Sequence, residues 1–149
     1  MVIKSDEHTH YCKYQPVSIV ENNEYRLYWA IPVTTDKPLL NNIPDIVQTN
    51  KLEKKTYVID IAVSNTDYLS KKYQEKLDNY MPLAIEIKTM WKQEKVSVIP
   101  VILGATREVP NTRQQALQQL SVPPNTYKHI QKAVVISTCS IVRKILNNL

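Results

Sequence analysis

Two aspartates stand where this chain could do chemistry. Asp45 follows Pro44 in the run Pro44-Asp45-Ile46-Val47. Asp60 lies inside Tyr57-Val58-Ile59-Asp60-Ile61-Ala62-Val63. An acid within a β-branched strand is costly to bury without a partner. Two such acids on paired strands suggest a site for a hard cation. Such a cation takes one or two carboxylates together with water and phosphate oxygens. Asp45, Asp60 and the backbone carbonyl of Ile61 are the candidate ligands. With Mg2+ or Mn2+ and a nearby lysine, such a set polarises a phosphate and activates water for phosphodiester hydrolysis. The plainer alternative makes Asp45 a turn residue and Asp60 a buried, hydrogen-bonded acid.

The elements that must position these acids are legible in the pattern. Alternation at Tyr25-Arg26-Leu27-Tyr28-Trp29-Ala30-Ile31, continuing towards Val33, predicts a strand. A short strand follows from Asp45 to Gln48. Tyr57 to Val63 is apolar on both faces except at Asp60, as in a central strand covered on both sides. Ser64 to Asp67 has the composition of a helix start. Apolar residues then recur at Leu69, Tyr73, Leu77, Tyr80, Ala84, Ile87 and Trp91, the steps of an amphipathic helix. Pro82 lacks a backbone donor and predicts a kink or break there. Val96 to Leu103 reads as a second buried strand, Thr112 to Leu120 as a short helix, and the chain from about Thr126 as a long helix. Residues 1–24 are polar and aperiodic, expected to be an arm or the remnant of a preceding domain. Residues 25–149 are expected to form one α/β domain, a mixed sheet flanked by helices.

Composition narrows the classes. The chain has 149 residues, enough for one core. It has one glycine, Gly104, which excludes a P-loop, a dinucleotide fingerprint and a G-x-S-x-G elbow. With so little glycine, tight turns must rely on Asn, Asp and proline. The net charge of +5 weakly favours a polyanionic partner. Cys12 and Cys139 are too few for a zinc ribbon or a disulfide framework. His8-Thr9-His10-Tyr11-Cys12 reads as a polar arm, and His129 as a structural or exposed residue. The N-terminus has no signal-peptide core, and no apolar run approaches a membrane span. An intracellular, non-secreted, non-membrane protein is the expectation.

The ordered set of motifs resembles the PD-(D/E)XK nuclease family. More narrowly, it resembles the restriction-like endonuclease domain of polyproteins from site-specific non-LTR retrotransposons. The resemblance runs from about Arg26 to Leu146. Its elements are Leu27-Tyr28-Trp29, Thr35-Asp36, Asn42-Ile43-Pro44-Asp45-Ile46-Val47, Ile59-Asp60-Ile61-Ala62-Val63, Glu75-Lys76 with Tyr80, Glu86-Ile87 with Trp91, and Val98-Ile99-Pro100-Val101. Further elements are Ile130-Gln131-Lys132-Ala133-Val134 and Ile141-Val142-Arg143-Lys144. It implies a restriction-endonuclease-like mixed sheet and an enzyme, a metal-dependent DNA endonuclease that nicks target DNA for target-primed reverse transcription. The partners it implies are DNA, element RNA and a reverse transcriptase domain in a longer polyprotein. The implied location is nuclear.

The family's usual lysine position, two residues after the second acid, holds Ala62 here. In the retrotransposon branch the lysine moves to the following helix, which implies Lys76, with Lys72 one turn earlier as the alternate. Lys72, Lys76 and Lys37 are the implied DNA contacts. Glu86-Ile87-Lys88 spells E-x-K but falls in the helical pattern, so it is not expected to be the active triplet. The chain departs from its relatives at Ala30, Ile43, Asn79 and Pro82. Two other readings compete: a catalytically decayed nucleic-acid-binding remnant, and a structure-specific resolvase-like nuclease.

Overall fold

The computed structural model describes residues 17–64 and 68–104, together with 118–120, 125, 128–130 and 132. Five strands and one long helix make up its core: β1 Ile19–Glu21, β2 Tyr25–Trp29, β3 Ile46–Asn50, β4 Lys55–Ser64, α1 Leu69–Met90 and β5 Lys95–Gly104. The strands lie side by side in chain order. The first four pair antiparallel, and β5 joins β4 in parallel after the α1 crossover. This is an α/β domain built on a mixed sheet.

The turns follow from the shortage of glycine. Asn22 Oδ1 accepts from the amides of Glu24 and Tyr25 at 2.9 and 2.6 Å, closing the β1–β2 hairpin. Asn50 Oδ1 accepts from Leu52 and Glu53 at 3.0 Å each, closing β3–β4. These are turns in which the Asn side chain stands in for a backbone carbonyl. Left-handed backbone falls on Ala30, Lys54 and Lys92, with φ of 46°, 50° and 50°.

Alternation along β4 sorts the core into two layers. Val58 points towards α1 and packs with Val33, Val47, Tyr80, Leu83 and Ile87. Ile59 points the other way, with Ile99, Val101 and Leu103, and is covered by Leu120 and Ile130. Burying a side chain such as Leu83 or Ile87 contributes about 1.5–3 kcal/mol. Among the described residues no helix is long and apolar enough to cross a membrane.

Three sequence expectations are corrected. Part of the stretch read as an arm, Ile19–Glu21, is a strand hydrogen-bonded to β2. The second strand ends at Trp29, short of Ile31, because Ala30 turns the chain with positive φ. Of the kink or break expected at Pro82, the break does not occur, and helix α1 runs on through it. The ring removes the bond that would reach the Asp78 carbonyl, but Asp78 and Pro82 are both exposed, on the side of the helix away from the core. Burial of Leu83, Ala84 and Ile87 just beyond it then offsets the roughly 3 kcal/mol cost of proline in a helix. Pro100 within β5 is opposite Asp60. Its nitrogen faces the edge of β5 away from β4, where a missing donor breaks no bond to β4.

Other expectations fall partly or wholly outside the described residues. Those are the His8–Cys12 arm, both cysteines, residues 65–67 of the helix start, and most of the two C-terminal helices. His129 is described, and it is exposed.

Candidate active site

Both acids lie where β3 gives out beside β4. Their last paired residues are Ile46 and Ile59. Beyond that point one edge of the β4 backbone has no strand to bond among the described residues. Asp45, one residue before β3, fills that place with its side chain: its Oδ2 accepts the Ile61 N–H at 2.7 Å. The Asp45 carbonyl accepts the Ala30 N–H at 2.8 Å, so the residue is clamped from both sides. A carboxylate taking a backbone amide at this distance makes a strong, charge-assisted bond. Within a strand, one residue's N–H and C=O point to the same edge. The Ile61 carbonyl is therefore on the Asp45 edge as well.

Asp60 faces α1 and is 3% exposed. Lys76 reaches it from the helix, with Nζ 2.7 Å from Oδ2. The approach is an ion pair rather than a directed hydrogen bond, and Asp60 Oδ2 has no hydrogen-bond donor among the described residues. Ala62, two positions on and on the same face as Asp60 by strand alternation, carries only a methyl. The cation at this site comes from the helix.

Lys72, the alternate lysine, is turned to Glu75, with Nζ 2.9 Å from Oε1. That hydrogen bond holds the Glu75 carboxyl below the ordinary carboxylate range. Lys37 projects into solvent and meets Glu86 at 3.7 Å. Glu86, Ile87 and Lys88 all lie on α1, away from any strand, and Ile87 is fully buried in the core.

Tyr80 is the site residue that motif reading named without giving it a role. Its hydroxyl donates to the Ile43 carbonyl at 3.0 Å, one residue before Pro44. Burial pushes its phenol up, and the negative charges of Asp60 and Asp45 push it further. So Tyr80 stands beside both acids and ties the Pro44-Asp45 loop to α1. The signal available in the sequence was spacing: Lys76 and Tyr80 are four apart and share a helix face.

The donors assembled here are all oxygen. Asp60 Oδ2 is buried with lone pairs to spare, Asp45 Oδ2 accepts the Ile61 amide, and the Ile61 carbonyl is on the same edge. No group of three or more His, Cys, Asp or Glu gathers among the described residues. Two carboxylates and a carbonyl fit a hard cation that keeps several waters, and they lack the nitrogen and sulfur ligands of a zinc site. In comparisons with known proteins, no family model matches the chain, and no curated protein or solved structure is significantly similar to it.

Proposed function

We propose that this chain is a metal-dependent DNA endonuclease of the PD-(D/E)XK class, with a restriction-endonuclease-like core. Within that class we place it in the retrotransposon branch, whose lysine is carried on the helix after the second acid. The observation that carries the reading is the contact between Lys76 Nζ and Asp60 Oδ2 at 2.7 Å, beside an Asp45 held on the Ile61 amide. A helix-borne ammonium thus occupies the role that a lysine at position 62 would have filled.

Asp45, Asp60 and the Ile61 carbonyl would hold Mg2+ or Mn2+, which when bound supplies charge neutralisation at the scissile phosphate. Asp60 would also accept a hydrogen bond from the attacking water. Lys76 remains near enough to stabilise the negative charge that develops on the phosphate. Tyr80 keeps the Asp45 loop in register with the helix. The product is a nick whose 3′ hydroxyl primes reverse transcription on chromosomal DNA in the nucleus. Element RNA and a polymerase domain are the further partners of this reading.

The test is nicking of supercoiled plasmid in Mg2+ or Mn2+, with Asp60→Ala as control. Nicking by the parent and none by the variant supports the enzyme. Plasmid binding with no nicking by the parent refutes it and leaves a nucleic-acid-binding remnant.

A further inference from the structure

Towards the end of β3 away from Asp45 is a cleft of about 510 Å3. Arg26, Lys51, Lys54 and Lys92 bring four cations to it, and Tyr28 and Trp91 supply aromatic faces. It opens where α1 ends, between the β3–β4 turn and the connection from α1 to β5. Thr49 in its floor is four residues along β3 from Asp45, roughly 13 Å at the rise of an extended strand, and Tyr28 at its nearer side pairs with Val47.

The aromatic wall is built in advance. The Tyr28 and Trp91 rings pack at 5.4 Å between centroids, tilted by 36°. Gln93 fastens the loop that carries Trp91: its Nε2 donates to the Trp91 carbonyl at 2.9 Å, and its Oε1 accepts from Thr56 Oγ1 at 3.2 Å. Thr56 Oγ1 in turn shares a hydrogen bond with Thr49 Oγ1 at 3.1 Å in the buried floor. A rigid aromatic surface loses little entropy when a flat ligand settles on it.

The charges are only partly answered. Glu21 pairs with Arg26 at 2.8 Å and also with Lys51. Those two cations hold the Glu21 carboxyl down to about 2. No carboxylate pairs with Lys54 or Lys92 among the described residues. Arg26 Nε is buried with no acceptor among the described residues, although Nη1 reaches the Tyr28 hydroxyl at 3.3 Å. A buried guanidinium donor without an acceptor costs free energy unless a ligand supplies one. Four cations against one carboxylate, with two aromatic rings between them, suit a ligand that is both anionic and flat.

We propose that this cleft binds one nucleotide unit, with its base against Trp91 and Tyr28 and its phosphate among Arg26, Lys51, Lys54 and Lys92. The inference goes beyond the cutting site and does not depend on it. The same chemistry comes from a free nucleotide or from a unit within a single strand.

The experiment uses the full chain with Trp29→Phe, so that Trp91 is the one fluorophore of its kind. It is titrated with a short oligodeoxythymidylate, with thymidine monophosphate and with inorganic phosphate. Stacking is expected to quench Trp91 fluorescence with the first two probes and not with phosphate. Quenching by the monophosphate identifies a mononucleotide pocket, and quenching by the oligonucleotide alone identifies a strand site. Lys54→Glu with Lys92→Glu, both on exposed turns, is expected to weaken binding roughly tenfold or more and to flatten its salt dependence. Measured by titration calorimetry, which needs no tryptophan, Trp91→Phe is expected to retain much of the affinity and Trp91→Ala to lose it, with circular dichroism checking that each variant is folded. No quenching by either nucleotide, or quenching indifferent to the lysine changes, overturns the proposal. Asp60→Ala should bind the probes like the parent. A protein that quenches but never nicks therefore refutes the nuclease reading and leaves this one standing.

Discussion

Replacing Lys76 by methionine probes the one contact on which the candidate site turns. Methionine keeps the unbranched stem and removes the ammonium. Asp60 is 3% exposed, so its carboxylate would be left buried without its counter-charge. Removing one partner of a buried pair costs about 3–5 kcal/mol. The Lys76 side chain is 22% exposed, so water can reach part of the gap and reduce that cost. About 2 kcal/mol is the expected loss, which for a chain of this size lowers the melting temperature by about 6 °C. Asp60→Asn alone should cost less, because the amide needs no counter-charge. The double variant should be more stable than the sum of the single losses predicts, with a coupling of about 1–2 kcal/mol. The assay is chemical or thermal unfolding of the four proteins in EDTA, repeated with Mg2+. Under the proposed function, Mg2+ should recover part of the Lys76→Met loss by mass action on the folded state and none of the double variant's. A coupling below about 0.5 kcal/mol would refute the reasoning, because the pair would then behave as two independent surface charges.

Two further perturbations test the frame around the site. Glu21→Gln should be less stable than the parent at neutral pH. The folded carboxyl is depressed from 4.5 to about 2 by Arg26 and Lys51. Its contribution is therefore present above about pH 4.5 and is lost as pH falls towards 2, so unfolding midpoints of the two proteins should converge over that window. Leu83→Ala should cost about 2–5 kcal/mol, since Leu83 is fully buried between α1 and β4. Ile85→Ala, at 60% exposure two positions away, should change stability by less than about 1 kcal/mol in the same denaturant titration.

Where local chemistry decides the structure, the sequence was readable. β4 is apolar on both faces except at Asp60, and its middle is covered on both, by Val58 towards α1 and by Ile59 towards Leu120 and Ile130, whereas Ile61 and Val63 beyond it are exposed. The scarcity of glycine predicted Asn-built turns, and Asn22 and Asn50 build them. Where tertiary contact decides, the sequence was not readable. Ile19–Glu21 has no pattern of its own and becomes a strand because β2 offers it an edge. Pro82 carries a strong local signal, yet the buried residues after it outweigh that signal. Lys72 and Lys76 share a helix face, and nothing in their spacing ranks them. The separation comes from Glu75 engaging the first while the second reaches across to β4.

Continuity through Pro82 bears directly on the site. Lys76 and Tyr80, which touch Asp60 and the loop before Asp45, lie before the proline. Leu83, Ala84 and Ile87, which anchor the helix in the core, lie after it. A helix broken at Pro82 would separate the half that carries the ammonium from the half that fixes its position. A lysine on β4 would need no such support, since strand pairing alone would hold it beside Asp60. Moving the cation to α1 makes the distance between acid and lysine depend on how the helix packs on the sheet. Tyr80 meets that requirement at the point of greatest need, because its hydrogen bond to Ile43 ties the helix to the loop that delivers Asp45.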